Sequence, residues 1–279
     1  MIRIDAHQHF WKYTAAEYGW INDGMAALQR DFLPRDLQPL LDENGFGGSI
    51  AVQARQSLKE THWLLELAEQ NTFIQGVVGW VDLCSPHLGG QLEALVARRK
   101  MVGVRHVVQD EPDDRFMFRP DFQRGVGQLA EFGLAYDLLL HPRHLPFATQ
   151  LVRQFPAQTF VLDHLAKPAI ADGIIEPWRR DIRELAKCPN VSCKLSGMVT
   201  EARWREWKRD DFRPYLDTAF EAFGASRLMI GSDWPVCTLS AEYAQTFGVV
   251  IDFLDQLTEE QREGILGGNC ARIYGIESA

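Results

Sequence analysis

The chain has 279 residues, 46% hydrophobic and 24% charged, with a formal net charge of −9. A single domain of roughly 250 residues or more can bury a large core without disulfide staples. The acidic balance, relieved only by short basic runs such as Arg98-Arg99-Lys100, argues against nucleic acid or an anionic membrane as partner.

The five cysteines (Cys84, Cys188, Cys193, Cys237, Cys270) are scattered and never spaced C-x-x-C, so neither a disulfide framework nor a zinc knuckle is expected. The opening MIRIDAHQHF carries charges and histidines instead of an apolar signal core. No apolar run nears the ~20 residues that span a bilayer. A soluble, cytoplasmic protein is the expectation.

In chain order, Ile2–His9 reads as a first strand and Pro34–Asn44 as a helix stopped at Asn44-Gly45. Ser49–Ala54 is a second strand, and Ser57–Asn71 a helix whose Ser57-x-x-Glu60 opening has capping-box spacing. Gly76–Leu83 and Val102–Gln109 read as strands three and four. Helix Pro120–Phe132, strand Leu134–His141 and helix Leu145–Phe155 follow, then strand Thr159–His164 and helix Glu176–Lys187. Strand Val191–Ser196, helix Asp210–Phe223 and strand Arg227–Ser232 precede two last helices, Ala241–Leu257 and Thr258–Leu266, the latter with its own box, Thr258-x-x-Gln261. The strands are rich in Val, Ile and Leu and do not alternate, as befits parallel strands covered by helices. Eight strands with intervening helices and no linker predict an α/β protein, one (β/α)8 barrel over residues 1–279. A doubly wound open sheet shares the same alternation.

A barrel should gather its functional groups where strands end and βα loops begin. His7 and His9, two apart in an extended segment, point the same way. Inside a barrel two adjacent imidazoles need a metal or hydrogen-bond partners; otherwise they are satisfied structural histidines. Asp233 follows the apolar run Leu228–Ile230 and can bind a metal, take a proton from water, or cap a turn. His164, in LDHLAKP, can aim an imidazole at a carbonyl oxygen, while Lys167 reads as a solvated loop charge. Arg105 and His106 are strand neighbours, so one faces the interior. Arg105 is a natural grip for a carboxylate or sugar hydroxyls, or else a partner of Asp110 or Glu111. Gln53, Lys194 and one of His141 or His144 also sit where they can reach the site. Trp11, Trp80 and Trp234 lie near strand ends and suit either a sugar-stacking wall or core packing. G-x-x-x-x-G-K-[ST], G-x-S-x-G and H-E-x-x-H are all absent, and Gly45-Phe46-Gly47-Gly48 precedes a strand, so it is no dinucleotide fingerprint.

Taken together, the blocks IDAHQHFW, GVRHVVQDEPD, LDHLAKP, CKLSGMVTEA, GSDWPVC and GNCARIYG resemble the amidohydrolase superfamily, in its branch of L-fuconolactonase-like and L-rhamnonolactonase-like sugar lactonases. The resemblance spans essentially the full length and implies a (β/α)8 barrel that hydrolyses an aldonic-acid lactone. It implies that His7 and His9 ligate a metal or polarise the carbonyl, that His164 is the strand-six histidine, and that Asp233 activates water. Those four would hold a single Zn²⁺, in a branch that includes metal-free enzymes. Strand four offers no Lys to carboxylate, which speaks against two metals. Arg105 or His106, Gln53, Trp80, Lys194 and Trp234 are the candidate substrate-binding residues, and the implied partner is a small sugar lactone. A decarboxylase of the same superfamily, or a silent barrel that binds sugar acids, are the competing expectations.

Overall fold

A computed structural model describes residues 2–276. Eight short segments form strands: β1 (Ile4–Gln8), β2 (Gly48–Val52), β3 (Ile74–Gly79), β4 (Met101–His106), β5 (Ala135–Leu138), β6 (Phe160–Leu162), β7 (Val191–Leu195) and β8 (Leu228–Ile230). Nearly every residue in them is buried, because the inner face packs into a barrel and the outer face meets helices. The strands pair in parallel in the order β1 to β8. A parallel bridge between Gln8 and Trp234 joins the last strand region to the first. The His9 N–H donates to Trp234 O at 2.7 Å and the Asp233 N–H to His7 O at 2.8 Å, which closes the ring. Sequential order with this closure gives the (β/α)8 barrel and excludes the doubly wound sheet, whose strand order must reverse.

Eleven α-helices are described, besides 3-10 turns: α1 (Pro34–Glu43), α2 (Leu58–Gln70), α3 (Leu88–Val96), α4 (Pro120–Leu129), α5 (Leu145–Gln154), α6 (Trp178–Ala186), α7 (Met198–Glu201), α8 (Arg209–Phe223), α9 (Tyr243–Leu254), α10 (Glu259–Glu263) and α11 (Asn269–Ile273). None is long and apolar enough to cross a membrane. Helix α3 was not expected from the sequence; burial of Leu88, Leu92 and Leu95 outweighs the weak helix propensity of its Gly89 and Gly90. The strands are shorter than their apolar runs, since the βα loops take over the last residues of each. His9, Gln53, His164 and Asp233 therefore stand just past strand ends.

The two capping boxes part ways. Thr258 and Gln261 form theirs, with Gln261 N–H to Thr258 Oγ1 at 3.3 Å and Thr258 N–H to Gln261 Oε1 at 3.2 Å. Glu60 does not cap α2. Its buried carboxylate accepts the Ala54 and Arg55 N–H groups at 3.0 Å each and the Tyr18 hydroxyl at 3.1 Å. It thereby fastens the loop after β2 to the loop after β1, and burial raises its pKa to about 7. At the opposite end of the barrel, a π-turn (Gly264–Gly268) joins α10 to α11, so the helix read over Thr258–Leu266 is shorter and continues differently. A Cβ on Gly267 would lie 2.1 Å from Ile2 O, an approach that only glycine permits. Asn269 Nδ2 donates to Leu228 O at 2.7 Å, and Cys270 and Tyr274 pack on interior residues such as Ile4, Ile50 and Met229, plugging the barrel.

Glu60→Gln keeps the shape but leaves one acceptor oxygen where two now receive three donors. It should cost about 1–3 kcal/mol in urea-induced unfolding. An unchanged midpoint would show that the loop is held by packing alone.

Candidate active site

The closing seam positions the central groups. Asp5, on β1, accepts the Ser232 N–H at 2.8 Å, the Ser232 hydroxyl at 2.6 Å and the Tyr243 hydroxyl at 3.0 Å. That anchor holds Asp233 at φ +58°, a left-handed conformation unusual for a residue with a Cβ. His7 and His9 both point inward from the end of β1, their ring centroids 4.9 Å apart. Across the barrel, residues 164–167 form a left-handed run with φ between 52° and 58°, a conformation disfavoured by roughly 1–2 kcal/mol per residue. The turn sends Asp163 toward the barrel interior while leaving His164 and Lys167 on the cavity wall. Gly197 makes room for it: a Cβ there would meet His164 Nδ1 at 2.5 Å. Ser196 Oγ sits 2.9 Å from that nitrogen.

The result is a tight cluster. Asp233 Oδ1 lies 3.2 Å from His9 Nε2 and 3.8 Å from both His7 Nε2 and His164 Nε2. Burial disfavours ionisation of Asp233, but His164, His9 and His7 outweigh it and hold its pKa well below the ordinary carboxylate range. Burial likewise pushes His164 down to about 4 and His7 well below its usual value, so both imidazoles are neutral at neutral pH.

Beneath the cluster lies a buried charge network. Lys194 Nζ donates to Asp137 Oδ2 at 2.6 Å and lies 3.0 Å from Asp163 Oδ1, and Tyr274 OH donates to Asp137 Oδ2 at 2.7 Å. Arg105 donates to Asp163 Oδ2 at 2.9 Å and to Gln53 O at 2.5 Å. For Asp163 burial opposes the charge, but Lys194, His7 and Arg105 prevail and its pKa falls well below normal. The network brackets His7, whose Nδ1 is 3.3 Å from both Lys194 Nζ and Asp163 Oδ1. Lys194→Met should cost about 3–5 kcal/mol, because it strands two buried carboxylates; a stability loss under 1 kcal/mol by thermal unfolding would refute this.

His9 Nδ1 lies 2.8 Å from Val52 O, which only accepts; it therefore carries the proton and leaves Nε2 as a lone pair. His7 has two options. With Nδ1–H donating to Asp163, its Nε2 lone pair faces that of His9 at 3.2 Å, beside the Asp233 anion. Arg105 Nη1, 3.3 Å away, donates to that His7 lone pair, while His9 Nε2 and Asp233 Oδ1 remain two acceptors 3.2 Å apart with no donor between them, an arrangement a cation satisfies. With Nδ1 accepting from Lys194, His7 Nε2–H would instead point at His9 and meet the Arg105 N–H. Candidate ligand atoms of His7, His164 and Asp233 lie within 4.8 Å of one another, so the residues present fit one divalent ion. Arg105 occupies the inward position on β4, from which it reaches Asp163 and Gln53.

A cavity of about 550 Å³ opens over the cluster, and His9, Gln53, Arg105, His164 and Asp233 line it. His7 and Lys194 lie below it. His106 points away from it, bonded to Glu111 at 2.7 Å and stacked on Phe116, because its neighbour Arg105 took the inner face. Trp80 is outside the lining, and Trp11 and Trp234 pack in the core against Phe32. Neither strand-five histidine reaches the cavity: His144 Nδ1 accepts the His141 N–H at 3.1 Å and its Nε2 meets Asp114, so Leu139 lines the wall instead. Lys167, read as a solvated charge, is a half-buried wall residue 4.0 Å from Glu201. Trp20, Arg55, Gln109, Asp110, Glu201 and Trp204 also line the cavity unforeseen; their one sequence signal is their place in βα loops.

Residues 4–276 match the amidohydrolase family. The chain is 46% identical to an L-fucono-1,5-lactonase of Burkholderia multivorans, covering 99% of this chain and 96% of that protein. It is 38% identical to an L-fucono-1,5-lactonase of Burkholderia ambifaria, again over 99% and 96%. A crystal structure of a Burkholderia multivorans amidohydrolase with bound zinc superposes with a TM-score of 0.95 at 45% identity, over 99% of this chain and 100% of that one. The chain belongs to the amidohydrolase family.

Proposed function

We propose that this protein is a sugar lactonase, a hydrolase that opens an aldonic-acid lactone of the L-fucono-1,5-lactone type to the free acid. The observation that carries the reading is Asp233: an ionised carboxylate ringed by three imidazoles at the base of the cavity, in a chain 46% identical to such a lactonase. The barrel is the functional unit, and its partner is a small sugar lactone in carbohydrate breakdown.

Asp233 accepts a proton from water as the water oxygen attacks the lactone carbonyl carbon. The ring C–O bond then breaks, and protonated Asp233 returns the proton to the departing alkoxide. His164, kept neutral by burial, takes the Ser196 hydroxyl proton as a hydrogen bond at Nδ1 and offers Nε2–H to the carbonyl oxygen. His7 and His9, held by the charge network and by Val52 O, frame the Asp233 carboxylate. Arg105 and Gln53 bind substrate oxygens from the wall. A zinc ion on His7, His164 and Asp233, with His9 alongside, would supply Lewis-acid polarisation of the same carbonyl.

Acid release should be followed on L-fucono-, L-rhamnono- and galactonolactones, with chelator-treated and zinc-loaded protein in parallel. Turnover in both samples identifies the imidazoles as sufficient polarisers, turnover with zinc alone makes the cluster a metal centre, and no turnover in either retires the lactonase reading. Asp233→Asn should lower kcat by about 10²-fold or more with circular dichroism unchanged. Near wild-type turnover in that variant would remove Asp233 from the reaction.

A further inference from the structure

Only four large apolar side chains are well exposed among the described residues, and two of them, Trp20 and Trp204, stand on the wall of the candidate site at 37% and 39% exposure. Each indole has already spent its single donor on nearby backbone: Trp20 Nε1–H donates to Ala54 O at 3.1 Å and Trp204 Nε1–H to Thr200 O at 2.9 Å. Neither is therefore placed to hydrogen-bond a ligand, and what each offers is a ring face whose tilt its own N–H bond restrains. Trp20 is braced further by an edge contact with Trp11 at 5.7 Å.

The barrel order makes these two part of one sector. Strands β7, β8 and β1 are consecutive around the ring, and their loops supply Trp204, then Val236 and Leu239, then Trp20 and Met25. The loops after β2, β4 and β6 supply Gln53, Arg55, Gln56, Gln109, Asp110 and Lys167. Most of the cavity's large apolar groups thus lie on the β7–β8–β1 arc, where Thr200 and Glu201 interrupt them, and most of its polar groups on the other, with Asp233 and the histidines at its base. A sugar ring has the same two-sided chemistry, C–H groups on one face and hydroxyls around its rim.

We propose that Trp20 and Trp204 form an aromatic platform on which the C–H face of the substrate sugar ring stacks, turning its hydroxyls toward the polar arc and its carbonyl toward Asp233. This rests on the lactonase reading for the identity of the ring and adds the residues that select it. The platform acts in binding, so its loss belongs mainly in KM and not in kcat.

The test is steady-state kinetics on the lactone the wild type turns over best, with Trp20→Leu, Trp204→Leu, the double Leu variant and the double Phe variant. Each single Leu variant should raise KM about three- to tenfold with kcat within about twofold, and the double more than either. The double Phe variant keeps an aromatic face and should stay within about threefold of wild type, which separates lost stacking from a damaged loop. A double Leu variant with wild-type KM, or a Phe variant as impaired as the Leu one, overturns the platform. Tryptophan fluorescence titrated with L-fuconate judges the platform without any turnover: saturable quenching in the wild type that vanishes in the double Leu variant supports it, and unchanged quenching refutes it. A wild type inactive on every lactone yet quenched in this way would retire the lactonase reading and leave the platform standing.

Discussion

Two backbone hydrogen bonds across the β1–β8 seam, His9 N–H to Trp234 O and Asp233 N–H to His7 O, are the constraint on which the site depends. They close the barrel and in the same stroke bring together residues 224 and more positions apart in the chain. The Asp5 carboxylate reinforces the seam with three donors from Ser232 and Tyr243. Burial works against that carboxylate and lifts its pKa to about 6, so its hydrogen bonds offset a real desolvation cost. The left-handed backbone at Asp233 persists because these neighbours over-determine it.

Below the seam, the interior charges are arranged so that none is left alone. Lys194 lies between Asp137 and Asp163, and Arg105 completes Asp163 from the other side. Such a network adds little net stability compared with an apolar core. What it does is place the Lys194 ammonium and the Asp163 carboxylate each 3.3 Å from His7 Nδ1, and so fix that ring in the barrel interior.

The upper half of the barrel shows why the cavity is sided. Loops from adjacent strands occupy adjacent arcs of the rim, so the chemistry of neighbouring loops becomes the chemistry of one wall. Trp20, Met25, Val236, Leu239 and Trp204 come from three separate stretches of sequence and meet only because β7, β8 and β1 are neighbours. The larger share of the polar groups arrives from β2, β4 and β6.

By itself, the sequence determined the alternation of apolar strands and helices, the shared direction of His7 and His9, and the strand-end location of His164 and Asp233; closure into a barrel, and with it the inward face for the two histidines, was decided by the β1–β8 seam. The first three features are local, written in period, spacing and the residue that follows an apolar run. Which of Arg105 and His106 turns inward was undecidable from alternation alone, because either face satisfies the pattern; the tertiary pairing of Arg105 with Asp163 decided it. The same holds for Glu60, whose spacing suits a helix cap but whose carboxylate goes to a neighbouring loop. Lys167 and the two rim tryptophans carry no local pattern at all. Their roles come from a left-handed turn seated against Ser196 and Gly197 and from loop adjacency around the barrel, both of them tertiary features.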